Sequence, residues 1–133
     1  MILLLNVIWL VFGGLFLAAG YLLAGVVACL LVVTLPFGLA AFRLAGYVLW
    51  PFGRTVVRRP TAGAASTVGN VVWFVLFGLW IAIGHIMAGI AQCMTIIGIP
   101  MGIANVKLAL AALAPLGKQI VSTSDPRAIR PAW

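Results

Sequence analysis

Two long uncharged runs, each followed by a proline, a shorter apolar run and a second proline, set the pattern of this chain. The long runs are Val7–Val33 and Val71–Ile97. Apolar residues in them are continuous rather than alternating, which predicts helices over a β-barrel, because a bilayer demands that every backbone N–H and C=O be paired. At about 1.5 Å per residue each run would reach roughly 40 Å as one helix, against a ~30 Å hydrocarbon core. It has to tilt, protrude or bend. Pro36-Phe37-Gly38 and Pro100-Met101-Gly102 then stop one helix and start the next. The shorter segments are Phe37–Trp50 and Met101–Ala114, each ending before a second proline and each holding one base, Arg43 or Lys107. A helix of about 21 Å lies in the interface with its base snorkelling, re-enters part way, or crosses by borrowing flanking residues.

The same parts in the same order suggest a repeat, and sliding the chain by 64 positions lays residues 6–57 on 70–121 without a gap. Asn6, Trp9, Cys29, Pro36 and Pro51 meet Asn70, Trp73, Cys93, Pro100 and Pro115, while Arg43 and Arg54 meet Lys107 and Lys118. Of the 52 aligned positions, 20 are identical. Low-complexity apolar sequence does not align such residues by accident, so a tandem duplication is expected. The predicted architecture is a single all-α integral membrane domain over residues 1–133. Repeat 1 covers 6–57, a Gly/Ala/Ser/Thr-rich linker 58–69, repeat 2 covers 70–121, and a short polar tail 122–133 is expected to fray. Each copy pairs a long transmembrane helix with a shorter proline-bounded one, hairpin-like.

If the short segments cross, the copies run parallel; if they lie on the surface, the copies are inverted. A third layout bends the long segments near Gly20 and Gly84. The basic ends, Arg54, Arg58 and Arg59 and then Lys118, Arg127 and Arg130, carry three charges each, which favours both facing the cytoplasm.

Composition agrees with the pattern. Of 133 residues, 65% are hydrophobic and 7% charged, too few to wet a globule whose surface ordinarily needs about a quarter charged residues. Met1–Asn6 holds no Lys or Arg, so the basic start of a secretory signal is missing and the first segment reads as permanent. Eight Lys and Arg stand against one acid, Asp125, a formal charge of +7. No basic run is interleaved with aromatics outside the apolar segments, so nucleic acid is not an expected partner. Loops beside membrane spans, in contact with anionic lipid, account for the charge.

Candidate chemistry is sparse. Gly14, Ala18, Gly25 and Cys29 stack on one helical face, and Gly78, Ala82, Gly89 and Cys93 repeat the stripe. Small residues let helix backbones approach closely in lipid, either between the two copies or between subunits of a homo-oligomer. Arg43 and Lys107 are costly cations among apolar residues, and the helix starts at Gly38 and Gly102 lie a turn or so away. Base and helix start together fit an anion. His85, Gln92 and Asn105 make the second copy the more polar half, facing Tyr21, Ala28 and Ala41 of the first. Neither cysteine sits in a CxxC or Cys/His cluster, and no P-loop, GxSxG or intramembrane carboxylate pair occurs, so no metal, cofactor or enzymatic activity is expected.

Gly89-Ile90-Ala91-Gln92-Cys93, the run Ile97-Gly98-Ile99-Pro100-Met101-Gly102-Ile103-Ala104-Asn105-Val106-Lys107, and Pro115-Leu116-Gly117 resemble the signature of the bacterial YccF domain family. The resemblance runs from Asn6 to about Val121 and implies a small multipass inner-membrane module. It implies no activity. Copy one departs from the motif, with Leu35 before Pro36 and Ala41 in place of the asparagine. Taken with the paired cations, the expected function is a homo-oligomeric channel or carrier for small anions. The competing expectation is a structural or accessory module that binds anionic lipid or a partner protein.

Overall fold

The computed structural model describes residues 1–132. Helix α1 spans Ile2–Leu30, α2 Leu35–Leu49, α3 Ala64–Cys93 and α4 Ile99–Leu113. Strand β1 is Arg54–Arg58 and β2 is Lys118–Ser122. Three helical stretches, Ile2–Leu30, Val32–Leu49 and Ala64–Cys93, are long and apolar enough to cross a membrane; α4 is shorter. The linker is shorter than expected, because Ala64–Gly69 already belongs to α3.

Each long helix carries a π-turn, Leu10–Gly14 in α1 and Phe74–Gly78 in α3. A tryptophan opens each turn. Trp9 Nε1 donates to Val48 O at 2.6 Å and Trp73 Nε1 to Ala112 O at 2.7 Å, each reaching a carbonyl near the end of the short helix. Gly14 and Gly78 lie under these indoles; a Cβ on Gly78 would stand 2.9 Å from Trp73 Cδ1 and 3.0 Å from Ala112 O. Between Trp9 and Gly25, α1 advances 16 residues (25 − 9) while its contacts on α2 move only 6, from Val48 to Phe42. A straight helix lying along α2 could not do this. α1 kinks at Gly13, whose φ of +141° is open to glycine. The bend lies there rather than at Gly20, which with Gly84 in α3 sits inside uninterrupted α-helix.

The small-residue stripes pack within each half. Gly25 faces the Phe42 ring, and Gly38 faces Cys29 Sγ and Gly25 O; in the other half Gly89 faces Asn105 Cβ, and Gly102 faces Cys93 and Gly89 O. Ala18 and Ala82 are buried on the same faces. The sequence points to contact between copies or subunits; the structure closes each long helix on its own short one instead. The outer walls are apolar, with Val11, Phe16, Leu23, Trp80 and Met87 exposed to the surroundings that lipid would fill.

The ribbon is absent from the all-α expectation. β1 and β2 pair antiparallel, with Val56 opposite Ile120. Gly53 and Gly117, at φ +83° and +71°, turn the chain out of the short helices, and Thr55-Val56-Val57 and Ile120-Val121 supply β-branched side chains. Pairing satisfies backbone groups that would otherwise be stranded beside an apolar layer. The tail is docked rather than frayed: Ala132 N donates to Val56 O at 2.8 Å and Thr123 N to Gly53 O at 2.9 Å. Trp133, the last residue of the expected tail, lies outside the described residues.

Two contacts between the halves join residues that the 64-residue register superposes. Val56 with Ile120, and Tyr21 with His85, are each 64 apart. Antiparallel pairing of equivalents is what a two-fold-like rotation produces. Both basic ends therefore lie side by side at one face of the molecule.

Candidate functional site

Two polar assemblies stand out, one buried at the seam between the long helices and one around the ribbon. The buried one starts at the kink. Gly13 leaves the carbonyl of Phe12 turned toward α3, and Gln92 Nε2 donates to it at 3.3 Å. Gln92 Oε1 then accepts from Asn105 Nδ2 at 2.8 Å, Asn105 Oδ1 meets His85 Nδ1 at 2.7 Å, and His85 Nε2 meets Tyr21 Oη at 3.1 Å. Asn105, His85 and Tyr21 are 0%, 1% and 4% exposed. A carbonyl only accepts, so it fixes the direction of each amide bond behind it as far as His85 Nδ1. Gln92 turns its oxygen to Asn105, Asn105 turns its oxygen to His85, and His85 carries its proton on Nδ1. Tyr21 donates to the bare Nε2. The three polar residues that the sequence singles out in the second copy are thus one network, completed by Tyr21 and Phe12 of the first.

The second assembly holds most of the charge. Arg43 Nη1 donates to Lys118 O at 3.2 Å and its Nε to Leu39 O at 3.3 Å, so the side chain leaves its helix toward the ribbon. Arg54 Nη1 donates to Gly46 O at 3.2 Å, and Arg59 N to Gly117 O at 2.8 Å. Arg43, Arg54 and Arg59 share one open cleft of about 470 Å³ with Tyr47 and Ser122. Arg58, Lys118 and Arg130 share another of about 390 Å³, with Ser66, Thr67 and Asn70. Six of the eight basic side chains thus line two clefts flanking the ribbon. The one acid, Asp125, is already held by Arg127 at 2.7 Å. Burial, and then Arg58, push the Lys118 ammonium below its ordinary range.

The other candidates fall elsewhere. Lys107 is exposed and lines neither cleft. Gly38 and Gly102 are closed over by Cys29 and Cys93, and the Gly102 amide is spent on Gly98 O at 2.7 Å. Arg43 and Lys107 are therefore not brought together with the Pro-x-Gly helix starts. Tyr21 was the residue missed by sequence reasoning; its alignment with His85 was the available signal. Among the described residues no group of His, Cys, Asp or Glu could hold a metal ion.

The family model described as YccF, inner membrane component domain, matches residues 4–54 and again 68–118, in the same 64-residue register as the self-alignment. Two curated relatives, both described as inner membrane protein YccF, come from Escherichia coli K12 and Shigella flexneri. Each is 37% identical over 137 residues, covering 96% of this chain and 93% of the relative. No solved structure matches. The chain belongs to the YccF family of inner-membrane proteins.

Proposed function

We propose that this protein is a non-conducting inner-membrane module whose ribbon face holds the phosphate-bearing headgroups of anionic lipids. The observation that carries this is the gathering of six bases into two clefts at one face, with the chain's one acid paired apart from both. Guanidinium groups match phosphate oxygens in bidentate fashion, and a basic side chain beside an anionic leaflet contributes about 1 kcal/mol. The apolar walls of α1 and α3 hold this face at headgroup depth, and an anion there would offset the strain on Lys118. The cytoplasmic leaflet is the side that the positive-inside bias assigns to this face.

An anion channel or carrier formed by several copies is the second reading, and it draws on the same concentration of positive charge. In a single chain the basic clefts are at the ribbon, whereas the buried polar residues sit at the seam of the long helices. A conducting path would have to form between copies. The two readings separate in one experiment. The protein is reconstituted into vesicles with and without phosphatidylglycerol, and both chloride flux and thermal stability are measured. Stabilisation by phosphatidylglycerol that disappears in Arg43→Gln/Arg54→Gln/Arg59→Gln, with no flux above empty vesicles, supports lipid holding. Chloride flux that Arg43→Ala with Lys107→Ala reduces would establish the channel instead.

A further inference from the structure

We propose that His85 is a proton-binding site whose protonation opens the seam between the two long helices. The chain from Phe12 O runs in a single direction as far as His85 and requires the proton on Nδ1, so a neutral imidazole there presents a bare Nε2 to the Tyr21 hydroxyl. Adding a proton at Nε2 places a donor against the Tyr21 hydroxyl, which must then accept and turn its own hydrogen away. Around it is a groove of about 310 Å³ walled by Phe16, Leu17, Gly20, Ala24, Ile81 and Gly84. None of these side chains offers an acceptor. The proton would also leave an imidazolium buried without a counter-ion, because the side chains bonded to it are Tyr21 from α1 and Asn105 from α4, and no charged side chain acts on it.

The relief for both costs is separation of Tyr21 from His85, which ends the contact between the Nε2 donor and the hydroxyl and frees the imidazolium from its closed seat. The groove is suited to widening. Gly20 and Gly84 are exposed and a Cβ on either would meet nothing within 4 Å, so no side chain from these positions closes the groove beside this pair. The bond that breaks joins the first half to the second, so one proton loosens their coupling at the seam while the ribbon keeps them attached. The repeat shows that this is a device of one site: the counterparts of Asn105 and Gln92 are Ala41 and Ala28, which cannot build a second network.

The chain has a single histidine, so ¹⁵N-histidine NMR of the whole protein in lipid nanodiscs reads this site without assignment. At pH 7 the proton is expected on Nδ1, the less common tautomer of free imidazole. Hydrogen exchange across residues 79–93, corrected for its intrinsic pH dependence, is expected to be about ten-fold faster at pH 5 than at pH 7. His85→Gln, which cannot take up a proton, should abolish that difference, and Tyr21→Phe should exchange fast at both pH values. An Nε2–H tautomer at neutral pH would overturn the proposal. So would equal acceleration by acid in the wild type and in His85→Gln. Where His85→Gln fails to fold, the tautomer and the Tyr21→Phe exchange decide.

Discussion

The glycines show how narrowly side-chain size is set. A methyl on Gly38 would overlap Cys29 Sγ and stand 2.9 Å from Gly25 O, a backbone atom that cannot swing away. Gly38→Ala is expected to lower stability by about 1–3 kcal/mol, the usual cost of overpacking. Gly20→Ala lies on a helix in open space and should raise it by about 0.5–1 kcal/mol, since alanine loses less backbone entropy in a helix. Thermal unfolding of both variants in detergent checks the pair. The tail offers a test of charge. Three hydrogen bonds from Arg127, two from its side chain and one from its backbone, hold the Asp125 carboxyl down to about 2. A depressed acid contributes above its unfolded value and loses that contribution as pH falls toward about 2. Carboxyl NMR should therefore show Asp125 titrating well below an ordinary aspartate, near 3.9. Arg127→Gln should raise it toward that range, the backbone bond from residue 127 remaining.

The helices were legible from element-scale patterns and the ribbon was not. Long uncharged runs, proline stops and the 64-residue register located all four helices, because bilayer physics leaves few ways to satisfy such segments. The strands each have only five residues and follow the short helices directly. Their β-branched runs, three residues in β1 and two in β2, were too brief to outweigh a loop reading, and their stability comes from a partner about 64 residues away. The seam network was half legible: His85, Gln92 and Asn105 stood out as polar residues in apolar runs. Their joint geometry depends on the Gly13 kink, which no spacing announces. Ala132 N bonds Val56 O, so Val56 turns its polar groups away from β2, and the pair Val57 with Gln119 carries the ladder bonds. Gln119→Pro removes one donor from that ladder and should cost about 1–3 kcal/mol. Limited trypsin digestion should then cut faster after Arg58, the Arg59–Pro60 bond being closed to trypsin, and wild-type protection in the variant would contradict the ribbon's role.

At the scale of the whole molecule, an apolar body of bent helices carries its polar chemistry in two separate places. The seam joins the halves through uncharged groups, and the ribbon gathers bases from both halves at one face. Such a charge distribution has little use in the hydrocarbon layer, where no opposite charge is present to meet it. It is well matched to a layer of phosphates. At about 1 kcal/mol per base, each removed side chain should weaken preference for an anionic lipid roughly five-fold, and salt should screen what remains. Native mass spectrometry of protein released from mixed phosphatidylglycerol and phosphatidylcholine nanodiscs reads that preference directly, by counting the lipids that stay bound. The wild type should retain phosphatidylglycerol selectively, and Arg43→Gln/Arg54→Gln/Arg59→Gln should retain it less. Equal retention of the two lipids by the wild type would contradict headgroup binding at the ribbon face.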